Sequence, residues 1–274
     1  MVDLEHVFSA FEGQPVAAVV APSMMFGGEW WKGDRIRLVF VREGDGVQPC
    51  ADADGWQLNK SVYHQGRACE IEYWYSGEIE GAIARAEESS SSAAGGDDMP
   101  ASRTLAMFDI LMRGACLAGN EQVEAWRARL ARSHIADAVC RTEFRQAGRL
   151  VETAICLLAD ELPEHAVMPA ATAFGHAIDG HLARNGYLIP CASERRQRYQ
   201  LLSSQMSGRD QTLSFGDYWK LQTMSGLAEG SYERWTVRAV NASLAIIAAA
   251  DLGRDFEGLL ALWSTAHAES EMCG

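Results

Sequence analysis

The sequence predicts an α+β chain: a sheet-bearing N-terminal domain followed by an all-helical C-terminal one. Three observations predict it. Up to Tyr75 the apolar residues come in short β-rich runs, a Ser/Gly/Asp tract then breaks the pattern, and beyond it apolar residues recur only at helical spacing. With 274 residues, 48% hydrophobic and 22% charged, the chain is long enough for two moderate domains, each with its own core.

A short amphipathic helix opens the chain, with Leu4, Val7, Phe8 and Phe11 at helical spacing. Strands follow at PVAAVV (15–20), RIRLVFV (35–41) and ACEIEYWY (68–75), separated by glycine-containing turns such as REGDGVQ. A helix at GEIEGAIARA (77–86) completes a first domain over 1–88. The tract EESSSSAAGGDDMPAS (87–102) is too poor in apolar residues to order itself by burial; it supplies a linker at 89–101, or a long surface loop within one domain. The second domain, 102–274, reads as helices only. Its apolar sets are Leu105, Phe108, Leu111 and Met112; Val123, Trp126 and Leu130; Leu150, Ala154, Leu157 and Leu158; Ala166 to Leu182; and Val240 to Leu252. No strand is expected beyond residue 102.

The formal charge of −13 repels polyanions, so neither nucleic acid nor an anionic membrane surface is an expected partner, and a small-molecule substrate is. The seven cysteines form no C-x-x-C pair and lie mostly in apolar runs, which suits reduced thiols and gives no zinc site. Without a basic-then-apolar leader or a run of about 18 apolar residues, a cytoplasmic protein is expected.

One stretch carries chemistry. The strand Val16 to Val20 runs into Ala21-Pro22-Ser23, a loop holding Phe26-Gly27-Gly28 follows, and then come Asp34-Arg35-Ile36-Arg37-Leu38-Val39-Phe40-Val41 and Glu70-Ile71-Glu72-Tyr73-Trp74, with a helix starting near Ser76. Further on are Asp109 to Gly114 and the segment 169–202, a helix ending in glycine followed by a proline and a basic stretch. Together these resemble the kanamycin-type, two-domain nucleotidyltransferases of the polymerase-β superfamily, over most of the chain. The resemblance implies a nucleotidyltransferase-like mixed sheet with helices and a helical substrate-binding domain, with Ser23 in the place of the family's Gly-Ser turn. In that family an acid-x-acid pair on one strand and a third acid on its neighbour converge on two magnesium ions. Here the pair falls on Arg35 and Arg37, and only the third-acid strand, with Glu70 and Glu72, keeps its carboxylates.

Two guanidinium groups repel a divalent cation, so the resemblance comes with a degenerate active site: no metal and no cofactor are expected. Arg35 and Arg37 either bind an anionic substrate directly, through their planar forks, or are neutralised by Glu70 and Glu72. Trp31, in the aromatic loop 26–31, is a candidate for lining the pocket mouth.

In the helical domain His176 and Asp179 stand at i,i+3, a spacing that lets a carboxylate orient an imidazole for proton transfer. The resemblance implies a carboxylate base there, inherited by Asp179, with Asp160, Glu161 and Glu164 as rivals; a purely structural use of both residues is the alternative. Arg195 and Arg196, with Arg198, follow where the family has a basic residue near the triphosphate, or they form a solvated basic face. Tyr218, Trp219, Tyr232 and Trp235 could wall a planar ligand or fill a helical core.

The reading that results is a metal-independent, transferase-like enzyme of small-molecule biosynthesis, acting on an anionic, zwitterionic or amino-acid-like metabolite between the domains. A non-catalytic pseudo-nucleotidyltransferase that binds a ligand or partner is the alternative. An active nucleotidyltransferase with a displaced metal site built from Glu29, Asp34, Glu70 and Glu72 is a further one. A homodimer is compatible with the family.

Overall fold

In the computed structural model the described residues are 15–20, 25–26, 29–30, 35–44, 60–64, 67–91, 100–188, 192–206, 212–228, 230–250 and 258. They fold as two compact units, Met1–Ile135 and Ala136–Gly274. The first carries a mixed sheet with helices and the second is helical, which is the α+β class that the periodicities predict.

The first unit holds a five-stranded sheet made by β1 (Ala17–Val20), β4 (Arg35–Arg42), β5 (Lys60–His64), β6 (Arg67–Tyr75) and β7 (Ala115–Ala118), in the order β5-β6-β4-β1-β7. A two-residue ribbon, β2 (Met25–Phe26) with β3 (Glu29–Trp30), stands apart from it. Strands β4 and β6 pair in parallel and the other neighbours antiparallel, so β4 lies inside the sheet. Its Leu38–Val41 stretch is accordingly buried without alternation.

Among the described residues the unit also carries the helices α1 (Ser76–Ser91), α2 (Ser102–Arg113) and α3 (Asn120–Arg132). Glu80 of α1 accepts hydrogen bonds from Trp126 and Gln122 of α3 and pairs with Arg129, which also holds Glu87 at 2.8 Å. Arg127 of α3 donates to the carbonyls of Leu111 and Gly114 at the C-terminal end of α2, where helix carbonyls run out of intrahelical partners.

Two expectations change here. The helix at 77–86 runs on to Ser91, and residues 92–99 lie outside the described residues, as do 1–14 with their expected helix. A strand does occur beyond residue 102: β7, four residues long, closes the sheet against β1. Ala-Cys-Leu-Ala is too short to show a period of two, and pairing with β1 creates the strand. That pairing also draws α2 and α3 into the sheet unit, and the compact units divide after Ile135.

The second unit contains α4 (Ile135–Ala159), α5 (Pro163–Arg184), α6 (Ala192–Gln205), α7 (Phe215–Gln222) and α8 (Tyr232–Ala249). Helix α5 is central. Its buried residues are mostly Ala and Gly, which lets neighbours approach closely. At Gly180 an added Cβ would stand 2.7 Å from the Phe144 ring of α4, so that crossing requires glycine. The expected helices at 166–182 and 240–252 correspond to α5 and to α8, the latter described through Ala249. Among the described residues no helix is long and apolar enough to cross a membrane.

Candidate functional site

On the sheet, the β4–β6 register sets Arg35 beside Ala68, Arg37 beside Glu70, and Val39 beside Glu72. The strand bearing the arginines therefore does neighbour the strand bearing the acids, with Arg37 and Glu70 directly abreast. Glu72 is two residues further along, abreast of an apolar residue. It is 5% exposed, and its Oε1 accepts a 2.7 Å hydrogen bond from Trp74 Nε1, so part of its charge is engaged within its own strand. The side chains of Arg35, Arg37 and Glu70 lie outside the described residues, as do Ser23, Trp31 and Asp34. Among the described residues no three His, Cys, Asp or Glu side chains converge as a metal ligand set would.

The helical unit holds a denser arrangement. His176 and Asp179 project from one stretch of α5, yet the two do not form the carboxylate–imidazole pair that their spacing suggests. His176 Nδ1 lies 2.6 Å from Glu143 Oε2 of α4. Asp179 is bound instead by Arg195 of α6, whose Nε and Nη2 each donate at 2.6 Å to a separate carboxylate oxygen. The reason is competition for partners: a guanidinium fork satisfies both oxygens of a buried carboxylate, which one imidazole nitrogen cannot do.

Arg195 is also not part of a solvated basic face. Its side chain is 13% exposed and that of Asp179 is 14% exposed, and Arg195 Nη1 reaches Gln222 Oε1 of α7 at 3.3 Å. Gly175 makes room for it, since an added Cβ there would stand 3.0 Å from Nη1. Burial pushes the Asp179 carboxyl above its ordinary range, against the pull of Arg195. The guanidinium, whose charge burial opposes, is nevertheless held above its ordinary value by its hydrogen bonds to Asp179.

The Glu143–His176 pair differs in access. The carboxylate is 16% exposed and the imidazole 34%, so a largely buried acid holds a ring that reaches solvent. With Nδ1 committed to a carboxylate, Nε2 is the nitrogen left for proton transfer.

Aromatic residues flank this cluster. Tyr218 of α7 is fully buried and stacks on Tyr199 of α6 at 4.4 Å between centroids, with Phe174 and Phe215 tilted against it. Burial pushes both phenols up to about 12. Tyr218 and Trp235 are thus core, whereas Trp219 is partly exposed and lies under the Arg196 guanidinium at 4.3 Å, a cation–π contact. The rival acids Asp160, Glu161 and Glu164 are exposed near the α4–α5 connection.

Glu143 is the residue that sequence reasoning missed. It flanks the buried series Cys140, Phe144 and Ala147, which marks an acid at the edge of a packed helix face, but its partner is 33 residues away.

His181, one turn beyond, sets a pH dependence. Burial lowers its pKa from 6.5, with Arg184 adding to the effect, and its ring packs near Tyr199. The unfolded chain therefore takes up a proton at pH values where the folded one does not. Its neutral-state stability is intact above about pH 6.5 and is lost as the pH falls toward the folded-state value. Urea midpoints measured from pH 7.5 to 5 should fall less steeply for His181→Phe than for wild type; parallel curves would exclude His181 as the source.

No protein-family model matches the sequence, and no curated protein does. Among solved structures, the chain is similar to a nucleotidyltransferase-like protein from Exiguobacterium sibiricum, 11% identical, over 90% of this chain and 72% of that one, with a TM-score of 0.39.

Proposed function

We propose that this chain is a metal-independent enzyme on a nucleotidyltransferase-like scaffold, in which His176 moves a proton to or from a small anionic or zwitterionic substrate. The observation that carries the reading is the 2.6 Å contact between His176 Nδ1 and Glu143, in which a largely buried carboxylate orients a solvent-reaching imidazole. Arginine at positions 35 and 37, with Arg37 abreast of Glu70, supports it from the sheet: guanidinium groups suit an anion and oppose a divalent cation. No cofactor enters the reading.

A second reading, a ligand-binding protein without chemistry, is favoured by one specific observation. Asp179, the carboxylate to which the resemblance would assign the base, has both oxygens occupied by Arg195.

Thermal-shift measurements against amino acids, small carboxylates, and ATP with and without magnesium separate these readings. A ligand at 100 times its Kd should stabilise the protein by about 2.7 kcal/mol. For the ligand found, His176→Gln should retain that stabilisation while turnover drops by about a hundredfold. Stabilisation requiring magnesium and ATP together would restore the displaced-metal alternative. Binding with no turnover in the wild type would establish the second reading.

A further inference from the structure

We infer that Arg195 is a positioning residue for the His176–Glu143 pair: by holding both oxygens of Asp179, it keeps that carboxylate from competing with Glu143 for the His176 ring. The inference rests on the proton-transfer reading for its functional meaning, but the coupling it describes can be measured without a substrate.

The geometry begins on α5. His176 and Asp179 are three residues apart on one helix, about 5–6 Å between Cβ atoms, so Asp179 is the carboxylate that α5 itself offers to the ring. The ring nevertheless bonds to Glu143, from a different helix. What separates the two outcomes is the guanidinium. Its Nε and Nη2 take Oδ1 and Oδ2 of Asp179, and its Nη1 is tied to Gln222 on α7, so three helices fix its orientation. Gly175, immediately before His176, leaves the space the guanidinium occupies.

The charges around the ring support the same assignment. Glu143 faces it from α4, Asp179 lies on its own helix, and Arg195 reaches in from α6. Helix α7 contributes Gln222 and the neutral phenol of Tyr218 on the Arg195 side. Helix α8 buries Trp235, Thr236 and Ser243 among apolar residues, and its Glu233, Arg234 and Arg238 are exposed. Among the described residues, His176 thus has the carboxylates of Glu143 and Asp179 and the guanidinium of Arg195 around it, and Arg195 cancels the acid that is not orienting the ring.

Single-residue changes at the two ends of the clamp should therefore move His176 in opposite directions. The readout is the pH midpoint of the His176 ring signals in nitrogen-15 histidine-labelled protein, assigned by their loss in His176→Gln. Asp179→Asn leaves the guanidinium uncompensated and should lower the midpoint. Arg195→Met leaves the carboxylate uncompensated and should raise it. Each shift should be at least about half a pH unit, since a charge within about 4–6 Å moves a neighbour by 1–3 units. The double variant Arg195→Met/Asp179→Asn should return to the wild-type midpoint, with the ring still in the Nδ1–H form.

A merely structural clamp would change the melting temperature and leave these midpoints in place. Shifts of the same sign, or none in Asp179→Asn, overturn the inference. If Arg195→Met does not fold, Asp179→Asn and the double variant still carry both the sign and its reversal. The two levels fail separately: opposite shifts with undiminished turnover in His176→Gln would remove the proton-transfer function and leave the coupling, whereas unmoved midpoints with lost turnover would do the reverse.

Discussion

Replacing Arg195 with alanine is expected to destabilise the helical unit by about 3–5 kcal/mol, because it leaves the Asp179 carboxylate buried without its counter-charge. The carboxyl is already pushed upward by burial, and removing the guanidinium takes away the principal opposing influence. Urea denaturation followed by tryptophan fluorescence would report the loss. The companion variant Arg195→Met/Asp179→Leu, which replaces the pair with apolar groups, should recover most of it, since a buried ion pair gains little over well-packed apolar side chains. A loss below about 1 kcal/mol in Arg195→Ala would mean that the pair is solvated like a surface salt bridge, and the clamp described above would have no basis.

A comparable effect is expected at Gly119, where the chain leaves β7 and enters α3. The residue has φ 71° and ψ 39°, the left-handed region, which costs a non-glycine residue roughly 1–2 kcal/mol. An added Cβ would also collide with the Val16 carbonyl oxygen and stand 2.8 Å from the Ala17 Cα, both backbone atoms that cannot swing away. Gly119→Ala should therefore lower stability by about 3 kcal/mol, with the loss confined to the sheet unit. Hydrogen exchange gives the test: amides of β1 and β7 should lose protection while those of α5 and α8 keep theirs. Uniform loss in both units, or unchanged protection at β1, would contradict this account.

Much of the fold was legible because period and length were both present. The run RIRLVFV is apolar enough to be an interior strand, and the apolar residues of α5 and α8 recur over 22 and 18 residues. Strand β7 was not legible. Its four residues carry no periodicity, and its identity comes from β1, about a hundred residues earlier in the sequence. The site divides along the same line. His176 and Asp179 could be singled out because they are close in sequence, whereas their true partners, Glu143 and Arg195, are joined to them only by helix packing.

One local signal did point to that packing. Gly175 and Gly180 sit mid-helix, where glycine costs about 1 kcal/mol relative to alanine, and a long helix carrying two of them is being approached closely from outside. The visitors are the Arg195 guanidinium and the Phe144 ring. On the sheet, the register confirms that β4 and β6 adjoin, which the motif order alone could only imply.

The late arrival of β7 has a consequence for how the molecule is made. Strand β1, the first of the sheet in sequence, pairs on one side with β4, but its other edge waits for residues 115–118. During synthesis at roughly 5–20 residues per second, that edge stays open until well after the rest of the sheet has left the ribosome. An open run of Ala17, Ala18, Val19 and Val20, uncharged and all nearly fully buried in the finished unit, is a template for pairing with another nascent chain. A fragment ended in the polar tract at 89–101 would keep that edge bare permanently, whereas one ended after Arg132 would carry its own cover. The polar tract reads in sequence as the natural place to divide the chain, and it is where division would leave a sticky half.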